Sequence, residues 1–250
     1  MNTKRTTEET DEIQSFCFSE VTECSYLPDQ YERLIIAQPE PGKKIGKKLT
    51  SILSRSGFRR SGLINYRPCC IGCSACHSYR VSTEHFNPNR SQNRCLKTNS
   101  DIVVRVLPAK TSKEHYELFR HYLQIRHQNS VMEQMSLNDY ETLILDSTTE
   151  SVLLEFRDVD QKLLMVAVTD ILDDGLSACY TFFDPKEIKR SLGTLGILTQ
   201  IRLAKKFSLP WVYLGYWVPG SSSMNYKKHF RPGEVFINER WLDIESALEL

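Results

Sequence analysis

Cysteine is the reactive residue type that this sequence concentrates most strongly in one place. Four of the eight cysteines lie between residues 69 and 76, and three of them follow the spacing C-x2-C-x2-C: Cys70, Cys73 and Cys76. Thiolates at this spacing can turn inward around one ion or cluster, as in zinc knuckles and iron–sulfur sites. Cys24, further upstream, is either a fourth ligand or a lone packed thiol. The block therefore predicts a bound zinc ion or iron–sulfur cluster, or else a group of reduced thiols.

The cysteines lie within a strongly basic part of the chain. Residues 41–100 contain twelve Lys or Arg and one acidic residue, Glu84, although the formal net charge of the whole chain is only +1. A basic run is often just a solvated face, but one of this length favours a polyanionic partner. Two pairs of lysines before a predicted helix are suited to contact phosphates without reading bases: Lys43, Lys44, Lys47 and Lys48.

The composition is that of an ordinary globular protein, with 40% hydrophobic and 25% charged residues. The start of the chain has no apolar core of the kind that a signal peptide needs. The longest apolar run, residues 163–168, is far too short to span a bilayer. We therefore expect a cytoplasmic protein with no membrane span, where clustered cysteines are more often metal ligands or free thiols than disulfides.

The elements that must position these residues fall into two groups. Residues 1–12 are predicted to be a disordered tail, and residues 13–100 a small unit of short strands, one amphipathic helix and basic loops. Residues 101–250 predict the order β-α-α-β-β-β-α-β-α-β, with a hairpin turn at Asp173-Asp174-Gly175. That order resembles the N-acetyltransferase-like (GNAT-like) acyltransferase fold. The segment 190–196 also resembles a coenzyme A loop, except that Leu195 stands where the pattern has a small residue.

Several motifs in this order resemble those of one family. They are CSYLP at 24–28, GFRRSG at 57–62, YRPxCxxCxxC at 66–76, Arg80, YTFFDP at 180–185, SLG at 191–193, YLGYW at 213–217 and MNYK at 224–227. The family is that of the aminoacyl-tRNA–protein transferases, and the branch is that of the bacterial aspartate/glutamate leucyltransferases. The resemblance implies transfer of leucine from leucyl-tRNA to the α-amine of proteins that begin with Asp or Glu, creating an N-degron for proteolysis.

The transfer step itself requires little beyond positioning. Aminoacyl-tRNA carries its amino acid as an activated ester, so we expect no cofactor to be required for forming the bond. A free α-amine has a pKa of about 7.7–8.0, so an appreciable fraction is nucleophilic at neutral pH. The protein must orient the reactants and stabilise the tetrahedral oxyanion. This task suits a sheet in which two parallel strands splay and expose backbone amides.

Four side chains within the C-terminal motifs are candidates for the chemistry, and each has a structural alternative. Asp184 would orient the amine or accept its proton, or would only cap the turn before Pro185. Tyr180 and Tyr216 would donate hydrogen bonds to the reacting carbonyl, or would only pack in their strands. Lys227 would contact the tRNA terminus or the acidic substrate, or would only be solvated.

Recognition of an acidic N-terminus requires a cation, and arginine offers the bidentate geometry that a carboxylate fits. The candidates are Arg59, Arg60 and Arg80, which flank the cysteine block; the block then braces them. Three other functions stay open. They are arginyl transfer to the same N-termini, a coenzyme A-dependent N-acetyltransferase with a basic module, and a non-catalytic zinc-bearing RNA-binding protein.

Overall fold

The structure is a computed structural model that describes residues 13–39, 45–128 and 130–247. The predicted tail and two of the predicted phosphate contacts, Lys43 and Lys44, lie outside the described residues. The strands are β1 (Ile13–Phe18), β2 (Thr22–Glu23), β3 (Tyr31–Glu32), β4 (Leu34–Pro39), β5 (Arg59–Ser61), β6 (Ile64–Pro68), β7 (His77–Ser82), β8 (Val103–Pro108), β9 (Ser151–Arg157), β10 (Leu163–Ile171), β11 (Gly175–Phe183), β12 (Trp211–Trp217), β13 (Gly233–Ile237) and β14 (Arg240–Asp243). The helices are α1 (Lys47–Arg55), α2 (Arg90–Thr98), α3 (Lys113–Arg126), α4 (Leu137–Leu145), α5 (Leu192–Lys206) and α6 (Ile244–Ala247), with 3-10 helices at Val131–Gln134, Ile188–Arg190 and Asn225–His229. No helix among the described residues is long and apolar enough to cross a membrane.

The first part of the chain forms a small antiparallel sheet in the order β1-β4-β6-β5, and β2 and β3 pair separately. Helix α1 packs beside this sheet through Leu53, which is buried with Phe58. Ile52, which the helical period places on the same face, is 43% exposed, so only part of the apolar side of this amphipathic helix is buried. Gly57 then turns the chain into β5 with a φ of +81°, a conformation that favours glycine.

An eight-stranded sheet in the order β14-β13-β7-β12-β11-β10-β9-β8 forms the larger part of the fold. Every neighbouring pair is antiparallel except β11 and β12, which are parallel. The predicted hairpin is confirmed, because the Leu172 N–H donates to the Gly175 carbonyl oxygen at 2.9 Å. Alternate residues of β10 enter two apolar clusters, Ala167 with α2 and α5, and Val166 with α3 and α4. The two helix pairs therefore cover opposite faces of the sheet.

Two elements lie where the sequence predicted basic loops. Strand β7 pairs with β12 on one side and β13 on the other, so it belongs to the large sheet. Helix α2 begins with a capping box, in which the Asn89 side chain accepts from the Gln92 N–H and the Gln92 side chain accepts from the Asn89 N–H. The predicted domain boundary near residue 100 stays a prediction, but a division there separates β7 from both of its partner strands.

Candidate active site

The parallel strands β11 and β12 separate part-way along their length. Their pairing ends after Ser177 and Tyr213, although β11 continues to Phe183 and β12 to Trp217. We call the gap between residues 178–183 and residues 214–217 the wedge. The outer edges of the two strands stay paired with β10 and β7. The main-chain groups that face the wedge must therefore find partners other than a neighbouring strand, as the predicted splay of two parallel strands requires.

Arg59 extends from β5 into the wedge. Its Nη2 donates to the Cys179 carbonyl oxygen of β11 at 2.6 Å. On the β12 side lies Gly215, with a φ of +73°, and a Cβ built there would lie only 2.8 Å from Arg59 Nη1. Glycine at this position therefore leaves the space that the guanidinium occupies. Arg59 forms no ion pair with any carboxylate of the described residues, so its charge is not neutralised.

The other two arginines predicted to bind an acidic substrate already hold carboxylates. Arg60, the next residue of β5, donates to both carboxylate oxygens of Asp170 at 2.6 and 2.8 Å, and both side chains are buried. Arg80 of β7 donates to a carboxylate oxygen of Glu234 at 2.6 Å and lies between two tryptophan rings. An incoming carboxylate would have to displace these partners. The contacts therefore favour the predicted role for Arg59 and give it no support for Arg60 or Arg80.

Lys227 lies beside the β12 side of the wedge, in the 3-10 helix that follows that strand. It is 3% exposed, so the alternative of a solvated lysine is wrong. Its Nζ donates to the Tyr216 carbonyl oxygen and lies 3.2 Å from the Met224 Sδ. Burial, and after it the charge of Arg59, lower the pKa of Lys227 well below its usual value. The amine is therefore held toward its neutral form and fixes the end of β12.

The two candidate tyrosines differ in whether their hydroxyl groups are engaged. The Tyr216 Oη donates to the Tyr66 carbonyl oxygen at 2.8 Å, which uses its single hydrogen. The Tyr180 Oη is buried and has no hydrogen-bond partner among the described residues. Burial raises the pKa of both hydroxyl groups, so both stay protonated. Only Tyr180 thus retains a hydrogen that it could donate to a reacting group.

Asp184 follows β11 at the open end of the wedge. Its Oδ2 lies 2.9 Å from Lys162 Nζ, and its Oδ1 accepts from the Lys186 N–H at 3.0 Å. Burial alone would raise the pKa of Asp184, but these two hydrogen bonds lower it below its usual value. The second bond spans Pro185, as the turn-capping alternative requires, and neither bond joins Asp184 to the guanidinium in the wedge.

A cavity of about 300 Å³ lies next to the wedge, and Tyr216 borders both. Tyr26, Tyr66 and Glu32 line part of it. The four cysteines of the predicted metal site line another part: Cys24, Cys70, Cys73 and Cys76. All four are free thiols, and burial, with the nearness of the other thiols, raises the pKa of Cys76 to about 12. No three His, Cys, Asp or Glu side chains in the described part of the chain are placed to hold one ion. As placed, the thiols do not fit around a metal, and the metal site stays a prediction.

The lysines at the start of α1 are accessible to a partner, whereas the segment 190–196 is engaged in contacts within the protein. Lys47 and Lys48 are exposed in the first turn of α1, as the predicted phosphate contact requires. In the segment that resembles a coenzyme A loop, Arg190 donates to both carboxylate oxygens of Asp101 at 2.8 and 2.9 Å. Leu195, where that loop has a small residue, is buried in the core. This segment is therefore occupied by internal contacts.

Sequence reasoning missed two features of the wedge and cavity. Gly215 stands between Leu214 and Tyr216 inside a strand, and a glycine within a strand often marks a bulge or a close backbone approach. Tyr26 lies near Arg59; burial raises the pKa of Tyr26 to about 12, and the nearby guanidinium partly opposes that rise. Tyr66 supplies the carbonyl that holds Tyr216. Tyr26 and Tyr66 lie within quoted motifs, but neither has a local pattern that predicts such a position.

Comparisons with family models and with similar sequences both point to transferases. Family models described as "Arginine-tRNA-protein transferase, N terminus" and "Arginine-tRNA-protein transferase, C terminus" match residues 22–94 and 114–237. An aspartate/glutamate leucyltransferase of Hahella chejuensis is 45% identical over 88% of this chain and 93% of its own length. That of Nitrosococcus oceani is 46% identical over 90% of this chain and 94% of its own length. That of Nitrobacter hamburgensis is 40% identical over 97% of this chain and 97% of its own length. Among solved structures, L-PGS from Bacillus licheniformis aligns with 59% of this chain and 48% of its own, at 12% identity and a TM-score of only 0.44.

Proposed function

Because the chain belongs to the aspartate/glutamate leucyltransferase family, we propose that it transfers leucine from leucyl-tRNA to the α-amine of proteins that begin with Asp or Glu. The amine nitrogen forms an amide bond with the leucyl carbonyl carbon while the ester bond to the tRNA breaks. The amine loses one proton, and the oxygen that leaves with the tRNA gains one. The product begins with leucine and serves as an N-degron for proteolysis. We place this reaction in the cytoplasm, together with its tRNA substrate.

The observation that carries the proposal is the unneutralised guanidinium of Arg59 in the wedge. A substrate that begins with Asp or Glu supplies the missing carboxylate, and the arginine fork can hold both of its oxygens. The hydrogen bond to the Cys179 carbonyl oxygen fixes the guanidinium, so the bound side chain would bring the substrate α-amine to the open edges of β11 and β12. A substrate that begins with Ala or Arg offers no such carboxylate.

We assign the chemical roles within the wedge from the contacts of each group. Tyr180 retains a buried hydroxyl hydrogen, so it is the group that would donate to the developing oxyanion. Lys227 and Tyr216 position the end of β12, since Lys227 holds the Tyr216 carbonyl and the Tyr216 hydroxyl reaches the small sheet. Asp184 would accept a proton only after its contact with Lys162 opens.

We further propose an N-acetyltransferase-like fold for the C-terminal half, residues 101–250, with β7 added to it. The support is a mixed sheet whose parallel pair, β11 and β12, is joined through α5 and splays at its carboxyl end. Residues 13–100 then recognise the substrate N-terminus, and the cysteine block braces the small sheet behind Arg59. Phosphates of the tRNA contact the lysines around the start of α1: Lys43, Lys44, Lys47 and Lys48.

One assay tests the proposal and its alternatives. Purified protein is incubated with labelled leucyl-tRNA or arginyl-tRNA and with peptides that begin with Asp, Glu, Arg or Ala. We expect leucine on the Asp and Glu peptides alone. Arginine on the same two peptides would support arginyl transfer, the alternative to which the description of the family models points. No labelling from either tRNA would contradict the proposed function.

A further inference from the structure

We propose that the exposed side of α2 and α5 binds the phosphate backbone of the tRNA substrate; the identity of this polyanion rests on the proposed function. We call this surface the basic face. It is defined by six exposed cations, three on each helix: Arg90, Arg94 and Lys97 of α2, and Arg202, Lys205 and Lys206 of α5. Nothing in the motifs of the family resemblance includes these residues.

The two helices carry positive charge without any internal acid. Neither α2 nor α5 contains Asp or Glu. Arg90, Arg94 and Lys97 are spaced i, i+4 and i+7, which places them on one side of α2 over about 10 Å. Of the nearest acids in the sequence, Asp101 already holds Arg190, and only Glu84 is left beside the face. A row of exposed cations that lacks neutralising partners attracts a polyanion.

The helices lie side by side, so their exposed sides form one surface. The Asn99 side chain, at the end of α2, donates to the Arg190 carbonyl oxygen just before α5 at 2.8 Å. At the opposite end, Lys205 Nζ lies 3.2 Å from the Glu84 carbonyl oxygen, upstream of α2. The helices are therefore antiparallel neighbours. Both pack into the same apolar cluster on one face of the large sheet, so their polar sides turn away from it together.

Helix α2 also contacts both segments that follow the splayed strands. The Gln92 side chain donates at 3.0 Å to the carbonyl oxygen of His229, in the 3-10 helix after β12 that contains Lys227. Asn99 contacts Arg190 in the segment after β11. The basic face runs from Lys97, at the end of α2 nearest the segment after β11, to Lys205 and Lys206 at its opposite end. An RNA backbone along the face can therefore reach the open end of the wedge, where the leucyl ester must arrive. An anionic membrane would also suit six cations, but it would gain nothing from this proximity.

The test compares two charge-matched double variants of the full chain. Arg94→Glu/Lys97→Glu reverses two charges of the basic face. Arg126→Glu/Lys110→Glu is the control, because both residues are exposed near the ends of α3, on the other side of the sheet, and have no ion pair among the described residues. Binding of leucyl-tRNA is measured at several salt concentrations. Transfer to an Asp peptide is measured with saturating leucyl-tRNA.

We expect the basic-face variant to bind leucyl-tRNA at least about 10-fold more weakly, with a salt slope lower by about 1 for each lost phosphate contact. The control should change less than about 2-fold, and kcat at saturating tRNA should be unchanged in both. If the double reversal does not fold, Arg94→Gln/Lys97→Gln gives the same comparison.

Wild-type affinity for leucyl-tRNA in the basic-face variant would overturn the inference, even if the protein transfers leucine as proposed. Weakened binding to phosphatidylserine vesicles with unchanged tRNA binding would also overturn it and would assign the face to a membrane. Weakened tRNA binding in a protein that transfers no leucine would support the inference while contradicting the proposed function.

Discussion

Replacing Arg59 with glutamine tests whether the wedge recognises the substrate carboxylate. The substitution removes the positive charge and the bidentate fork. A hydrogen bond to a charged group contributes about 1.5–3 kcal/mol, so a two-bond contact contributes about 3–6 kcal/mol. Because about 1.4 kcal/mol corresponds to a factor of ten, and water will replace part of the contact, we expect kcat/KM for an Asp peptide to fall at least about 100-fold. Arg59→Lys retains the charge without the fork and should fall in between.

The same substitution should cost little stability. Arg59 is bonded to one carbonyl oxygen, that of Cys179, and its removal leaves no unpaired carboxylate behind. The loss should therefore not exceed about 3 kcal/mol, the upper end for one hydrogen bond to a charged group. Chemical denaturation of Arg59→Gln and wild type checks this, and binding of leucyl-tRNA checks that the tRNA site is intact.

The assay is transfer of labelled leucine to Asp, Glu and Ala peptides over a range of peptide concentrations. We expect the effect of Arg59→Gln mainly in KM for the acidic peptides, with the Ala peptide unlabelled by both proteins. A folded Arg59→Gln protein that binds leucyl-tRNA and keeps the wild-type KM for the Asp peptide would refute Arg59 as the carboxylate site.

Three further predictions concern Arg60, the glycine beside the wedge and a carboxylate of β9. Arg60→Ala should lower the free energy of unfolding by about 3–5 kcal/mol in urea titrations, because it leaves a buried carboxylate without its partner; a loss under 1 kcal/mol by that measure, on the order of a surface pair, would contradict this. Gly215→Ala should reduce transfer at least about 10-fold, because the new Cβ would collide with the Arg59 guanidinium in the wedge. Gly72→Ala is the control: Gly72 has a φ of +76° but open space around it, so this variant should retain transfer. Equal transfer rates in the two variants would contradict the steric argument. Hydrogen bonds from a neighbouring arginine lower the pKa of Glu155 from 4.5 to about 2, so its stabilising contribution, present above pH 4.5, should disappear as pH falls toward 2. Acid titration of Glu155→Gln should lack that part of the pH dependence, and an unchanged titration curve would count against it.

The sequence predicts that Arg59 and Arg60 are candidates for the site, but not which of the two faces it. Composition and the need for a cation select both arginines, and strand alternation predicts that they lie on opposite faces. Local pattern cannot say which face meets the wedge, because Arg60 is identified as structural only by Asp170, 110 residues later in the chain. The position of Lys227 is equally unpredictable, since its partner is a main-chain carbonyl.

The sequence predicts an element well when the residues that specify it are close together in the chain, and poorly when they are far apart. Helices α3 and α4 and the β10–β11 hairpin carry their own periodicity and turn residues, and the predicted element order contains all of them. Strand β7 is specified by partners more than a hundred residues away, and the polar residues that follow it favoured a loop. Helix α2 was readable, because Asn89 and Gln92 fit a capping box. The density of arginine and asparagine in that segment suggested a loop instead.

The position of β7 makes the two halves of the chain obligate folding partners. A fragment starting at residue 101 would retain β12 and β13 but lose the strand between them, exposing two edges on which aggregation begins. The family models divide the chain between residues 94 and 114, and that division does not yield two separable pieces. The protein should therefore unfold in a single cooperative transition. Its two halves, produced as separate fragments, should fold only when they are expressed together.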